Sequence, residues 1–233
     1  MLAHRTIYSD DHAIFRDAVR KFVTAEIAPS FSRWEELGIV DRDYWAKGGA
    51  AGLLCPQVPE RYGGPGGSFK HNAIIGEEIG YAGFAGPLSN FSVHSDVCAG
   101  YILSQGSEEQ KSHWLPRMVS GESVCAIAMT EPGTGSDLQA VRTRAVRNGD
   151  EYAVTGAKTF ISNGQHADLV IVVARSGDAP GAKGSAYLWW DFGNHARVDF
   201  PLFMISVERQ ECGRATIRAP ELTVSAPINR PHY

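Results

Sequence analysis

The chain has 233 residues, 43% of them apolar and 21% charged, and a formal net charge of −4. That length holds one large or two small domains with a real hydrophobic core, and the slight acidity speaks against the basic face of a nucleic-acid binder. No run of about 18 apolar residues occurs, so no transmembrane span is expected.

The first half reads as helices. Ser9 is placed to cap a helix whose apolar residues Ile14, Phe15, Ala18, Val19, Phe22 and Val23 recur at helical spacing until Pro29 closes it. Asp41 can cap a short helix carrying Tyr44 and Trp45. YGGPGG (62–67) interrupts the pattern, because its glycines and proline do not continue a helix. Ser68 starts the next helix through Ile74, Ile75 and Ile79, and a more buried one is expected over 91–103, ended by Gly106. SEEQ (107–110) has the form of a capping box, in which Ser107 and Gln110 each satisfy a backbone N–H that the first turn leaves unpaired. Its helix carries Trp114, Leu115 and Met118, with Gly121 at the C-terminal glycine position.

After Gly121 the period changes. SVCAIAM (123–129) suits a buried strand. Val141, Thr143, Ala145 and Arg147 alternate up to Asn148-Gly149, a hairpin signal, and Tyr152 and Val154 continue beyond it. Further strands are expected at 158–161, 169–174 and 185–190. Helices first and strands second predict an α+β chain, with an all-α domain over 1–122 and a β domain over 123–233. Cys55, Cys98, Cys125 and Cys212 lie far apart and show no metal-ligand spacing. Reduced thiols in a cytoplasmic protein are expected, with neither disulfides nor a metal site.

The stretch AMTEPGTGSDLQA (128–140) carries the chemistry. A strand delivers Met129 and Thr130 to a sheet edge, and the glycines let backbone N–H groups approach a ligand. Those N–H groups, beside the hydroxyls of Thr130 and Ser136, suit a polar or anionic ligand such as a pyrophosphate. Leu138 stands where a dinucleotide fingerprint needs glycine, and no Gly-Lys-Ser/Thr of a P-loop is present. The same residues also fit a plain turn in which Asp137 and Ser136 cap backbone groups.

This stretch resembles the first signature of the acyl-CoA dehydrogenase family, flavoproteins that desaturate acyl-CoA thioesters, and most closely its long-chain branch. FRDAVRKF, GLLCPQVPERYGG, NFSVHS, GSEEQKSHWLPRMVSGE and GAKTFISNGQHADLVIVVAR are similar to family segments, in the family's order, over about 8–190. The resemblance implies a helical N-terminal domain followed by a β-barrel-like middle domain that carries FAD. It also implies an acyl-CoA substrate, an electron-transfer flavoprotein as acceptor, and homo-oligomers in full-length relatives. Matched residue by residue, the flavin contacts fall on Ile127, Ala128, Met129, Thr130, Glu131, Pro132, Gly133, Thr134, Gly135 and Ser136, with Thr130 near the pyrimidine edge. A second segment matches at Phe160, Ile161 and Ser162, with Phe160 beside the ring and Ser162 near its N5. Ser136 also matches a position that touches acyl-CoA.

The implied reaction is α,β-dehydrogenation in fatty-acid β-oxidation, in which a carboxylate removes the α proton and the β hydrogen leaves as hydride. In the family that glutamate belongs to a C-terminal four-helix domain, expected to be absent from this truncated chain. No catalytic residue is therefore assigned, and the isolated chain is expected to be inactive as an enzyme, leaving a flavin- or acyl-CoA-binding fragment as the alternative. From Asp191 the sequence departs from the family pattern, with strand pieces at 202–207 and 222–225. Glu208 and Glu211 are read as surface charges, Glu131 as a loop-shaping residue, and Arg142 and Arg144 as a solvated strand face. Trp34, Trp45 and Trp114 are expected in the core, and His94 as a hydrogen-bonded interior histidine.

Overall fold

The structure is a computed structural model that describes residues 7–148, 151–176, 185–191, 208–210 and 214–224. The chain divides into a helical unit, Met1–Leu103 with Ser107–Glu122, and a β unit, Ser123–Tyr233 with Ser104–Gly106.

In the helical unit, α1 (Asp10–Phe22) starts at Ser9 and runs into a π-helical turn, Val23–Ile27. Its buried stripe is rotated from the one expected. Val19 and Phe22 are buried, but Ile14 is 70% exposed and Arg16 turns inward. The reason is α4 (Phe69–Tyr81), whose Glu77 accepts from Arg16 at 2.7 Å and whose buried Glu78 accepts from Arg16 and from Arg20 Nε, the latter at 2.7 Å. A carboxylate buried without such partners would be strongly unfavourable, so the two guanidinium groups set the rotation of α1.

Asp41 does not cap the helix that carries Tyr44 and Trp45. That helix, α3 (Asp43–Ala50), follows α2 (Phe31–Leu37), and its N-cap is Arg42. The Asp41 carboxylate instead accepts from Arg33 of α2 at 2.8 Å, and this bond holds its pKa down to about 2. Helix α5 (Ala85–Ser92) begins earlier than the expected Phe91 and continues through a π turn, Val93–Cys98, into α6 (Ala99–Gln105). Pro87 sits in the first turn of α5, where no intrahelical N–H bond is required of it.

Helix α7 (Glu108–Ser120) has the predicted capping box. Gln110 N donates to Ser107 Oγ at 3.2 Å, and Ser107 N donates to Gln110 Oε1 at 2.8 Å. Tyr44 stacks on Phe91 at 4.5 Å, with Phe22, Trp34 and Trp45 around them. His94 is fully buried, its Nε2 3.0 Å from the Met118 carbonyl, so it is the interior histidine expected.

The β unit contains β1 (Cys125–Ala128), β2 (Arg144–Asn148), β3 (Glu151–Ser162), β4 (Leu169–Arg175), β5 (Ser185–Asp191), β6 (Glu208–Gln210) and β7 (Arg214–Val224). They form one seven-stranded sheet of order β1-β4-β2-β3-β7-β6, with β5 also on β4. β2 and β3 form the predicted antiparallel hairpin, while β1 runs parallel to β4.

The expected barrel is not formed by the described residues. Closure needs a ladder between the end strands, and β1 and β6 pair with β4 and β7 instead of with each other. The strand expected at 158–161 is the last third of β3, a single strand of 12 residues. Residues 202–207, Gly149, Glu211 and Cys212 lie outside the described residues. Among the described residues, no helix is long and apolar enough to cross a membrane.

Candidate functional site

The motif grows out of β1, whose full-length parallel pairing with the apolar β4 buries Cys125, Ala126 and Ala128. Asp168 and Asn163 anchor the start of that strand. The Asp168 carboxylate accepts from Val124 N at 2.7 Å, and Asn163 Nδ2 donates to Cys125 O at 3.2 Å. Beyond Ala128 the chain turns tightly. Glu131 N donates to Thr134 O at 2.8 Å and Thr134 N returns a bond to Glu131 O at 3.1 Å, closing a loop around Pro132-Gly133. Thr134 Oγ1 donates to Ala140 O at 3.2 Å, and Asp137 accepts from Gln139 N at 3.2 Å.

The second segment lies on a bulge of β3. Lys158 is in register with Ile217 and Ile161 with Ala215, so β3 carries one extra residue there. Phe160 takes up the irregularity at φ 60, a left-handed conformation uncommon for a bulky residue, and is 49% exposed. Thr159 and Ile161 on either side of it are buried.

The two segments meet. Thr159 N donates to Thr130 O at 2.9 Å, and Lys158 Nζ donates to Met129 O at 2.8 Å and to Glu131 Oε1 at 3.0 Å. Glu131 is 7% exposed and also accepts from Arg142 N at 2.7 Å, from Thr143 N at 2.8 Å and from the Thr143 hydroxyl. Burial raises the Glu131 pKa, but these hydrogen bonds outweigh it and leave the carboxylate below its ordinary range. Burial pulls the Lys158 ammonium below its ordinary value, against the attraction of Glu131. The strand β3 leaves room for Thr143 only because position 156 is glycine, since a Cβ there would strike the Thr143 side chain.

Of the residues expected at this site, Pro132, Gly133, Gly135, Ser136 and Phe160 are exposed, and Ile127, Met129, Thr130 and Ser162 are half-buried. The side chains of Ala128, Glu131, Thr134 and Ile161 are buried. Lys158 and Thr143 were not singled out by the sequence reading. The available signal was a lysine on the same alternating phase as the inward-facing Val154, which requires a buried acidic partner.

The open surface fits a phosphate-bearing planar ligand. A Cβ on Gly133 or Gly135 would meet no protein atom within 4 Å, and neither residue has the left-handed φ that favours glycine. Neither backbone strain nor protein packing calls for glycine there, whereas close approach of a ligand to the backbone does. Exposed hydroxyl and amide groups would serve its polar part, and Phe160 would serve its ring. Among the described residues, no group of three or more His, Cys, Asp and Glu could hold a metal ion.

Comparison with known proteins bears on this site. Residues 9–122 match the acyl-CoA dehydrogenase N-terminal domain family, and residues 126–191 match the acyl-CoA dehydrogenase middle domain family. The chain is 49% identical over 170 residues to the mitochondrial long-chain specific acyl-CoA dehydrogenase of Sus scrofa, an alignment covering 73% of this chain. It spans 39% of that relative's length. Its structure is similar to that of acyl-CoA dehydrogenase from Geobacillus kaustophilus, with a TM-score of 0.82, 36% identity, and coverage of 97% of this chain and 60% of the other. It is also similar to a glutaryl-CoA dehydrogenase from Mycobacterium smegmatis in complex with FADH2, with a TM-score of 0.75, 26% identity, and coverage of 97% and 55%.

Proposed function

The chain belongs to the acyl-CoA dehydrogenase family, and from that premise we propose that it is the flavin-binding part of an enzyme that desaturates acyl-CoA thioesters in fatty-acid oxidation. The observation that carries this reading is the junction of the motif with the β3 bulge, where Thr159 N donates to Thr130 O and Phe160 is exposed beside that bond. In this proposal Ile127 to Ser136 and Phe160 to Ser162 hold FAD, and Ser136 also reaches the acyl-CoA. Bound FAD supplies the acceptor for the hydride that leaves the β-carbon. The chain's own part is to orient the ring with Phe160 and to offer amide and hydroxyl donors from the loop.

The base is the missing element of the chemistry. Glu131 is the carboxylate within the motif, and four donors already occupy it. A carboxylate so committed is a poor proton acceptor, so removal of the α proton falls to a group outside the motif. That observation favours a second reading, in which the isolated chain binds flavin or acyl-CoA without turnover. Homo-oligomerisation, an electron-transfer flavoprotein as acceptor, a cytoplasmic setting, and a domain boundary between 122 and 123 belong to the same proposal.

The test is the visible absorption spectrum of the purified chain with FAD, before and after anaerobic addition of a long-chain acyl-CoA. We expect retained flavin that does not bleach. Bleaching would show that the chain holds a working base, and absence of retained flavin would defeat the cofactor reading.

A further inference from the structure

We infer that the Glu131–Lys158 pair is a positioning clamp, fixing the 129–134 loop and the Phe160 bulge as one frame for the flavin. The inference rests on the flavin reading above for its functional half. Its structural half stands on the hydrogen bonds themselves.

Successive residues of β3 bond to successive carbonyls of the loop: Lys158 Nζ to Met129 O at 2.8 Å, then Thr159 N to Thr130 O at 2.9 Å. The next residue is Phe160, whose left-handed backbone throws its ring out of the unit. The place where Phe160 emerges is therefore set by a side-chain bond and a backbone bond to the loop that carries Thr130. Glu131 anchors the other end of the clamp, bonded to the N–H groups of Arg142 and Thr143 where the chain enters β2.

A buried ion pair is weak evidence of stabilisation, since well-packed apolar residues of similar volume often serve a fold as well or better. What such a pair supplies here is direction: a charged donor reaches a carbonyl at fixed length, and an apolar side chain would not. Lys158 is 3% exposed and Glu131 7%, so neither competes for solvent and the geometry is not relaxed by water.

The experiment uses the full chain in four forms besides the parent: Lys158→Met, Glu131→Gln/Lys158→Met, Glu131→Asp, and Val173→Ala as a destabilised control whose residue is buried in β4 away from the clamp. Two quantities are read below the unfolding midpoint of each: hydrogen exchange at the Thr159 amide without FAD, and the dissociation constant of FAD. The double substitution removes both buried charges, so it is expected to fold. It should speed Thr159 exchange and weaken FAD binding, each by about tenfold or more, because small displacements of a binding frame are expensive. Glu131→Asp keeps the charges but shortens the reach, and should change both quantities in the same direction by a smaller factor. Val173→Ala should leave FAD affinity within about twofold.

Unchanged Thr159 exchange in the folded double variant or in Glu131→Asp would overturn the clamp. Faster exchange with unchanged FAD affinity, or an equal loss of affinity in Val173→Ala, would overturn its positioning role. A parent chain that binds no FAD would overturn the flavin reading and with it that role, while the exchange rates would still decide whether the clamp exists.

Discussion

The backbone of Gly121 lies directly against the carbonyl of Trp45, with no space for a Cβ between them. Gly121 also stands at φ 77, ending α7 in the left-handed conformation. Gly121→Ala therefore combines backbone strain with a clash, and should lower the free energy of unfolding by about 3 kcal/mol. Urea titration of the chain checks this, and an unchanged midpoint would mean that α3 and α7 yield without loss.

Ser107 offers a milder test. It accepts from Gln110 N at the start of α7, and Ser107→Ala removes that bond while leaving the rest of the helix untouched. A loss of about 1 kcal/mol is expected, with Ser107→Asp recovering most of it. The two thermal midpoints, compared side by side, decide the matter.

Stability should also depend on pH through His12. Its Nδ1 accepts from Ser9 N at 3.2 Å, and its ring lies 4.9 Å from that of His71. Desolvation, followed by the charges of His71 and Lys70, holds the His12 pKa below its ordinary 6.5. The folded chain thus binds fewer protons than the unfolded chain in that region. Stability is complete above pH 6.5 and is lost as pH falls through that value. His12→Gln keeps an acceptor for the Ser9 N–H without titrating, and should flatten the slope of midpoint against pH between about 7.5 and 5.5. A parent chain with no slope there would contradict the reading.

Gly135 separates ligand binding from folding. Because a Cβ there meets nothing in the protein, Gly135→Val should shift stability by no more than about 0.5 kcal/mol. If the flavin approaches this backbone, the same change should weaken FAD binding by about tenfold or more. Calorimetric titration with FAD, beside a thermal melt, gives both numbers; equal affinity in parent and variant would remove the loop from the site.

The sequence by itself determined what local interactions decide. The Ser107 to Gln110 box, the glycine at 121, the β2–β3 hairpin and the apolar β4 are each set by groups within a few residues of one another, and each is found where expected. The family was legible for the same reason, since its motifs are continuous stretches.

Only the tertiary structure decided which neighbours compete for a side chain. Asp41 went to Arg33 in place of a helix cap, and the α1 stripe turned toward Glu77 and Glu78. The open sheet follows from pairings such as β1 with β4, whose partners are distant in sequence. The same holds at the candidate site. Glu131 was read as a shaper of its own loop, but its carboxylate is occupied by residues 11 to 27 positions away. Whether a buried charge is tolerated depends on what the fold brings within hydrogen-bond reach, and spacing along the chain does not contain that distance.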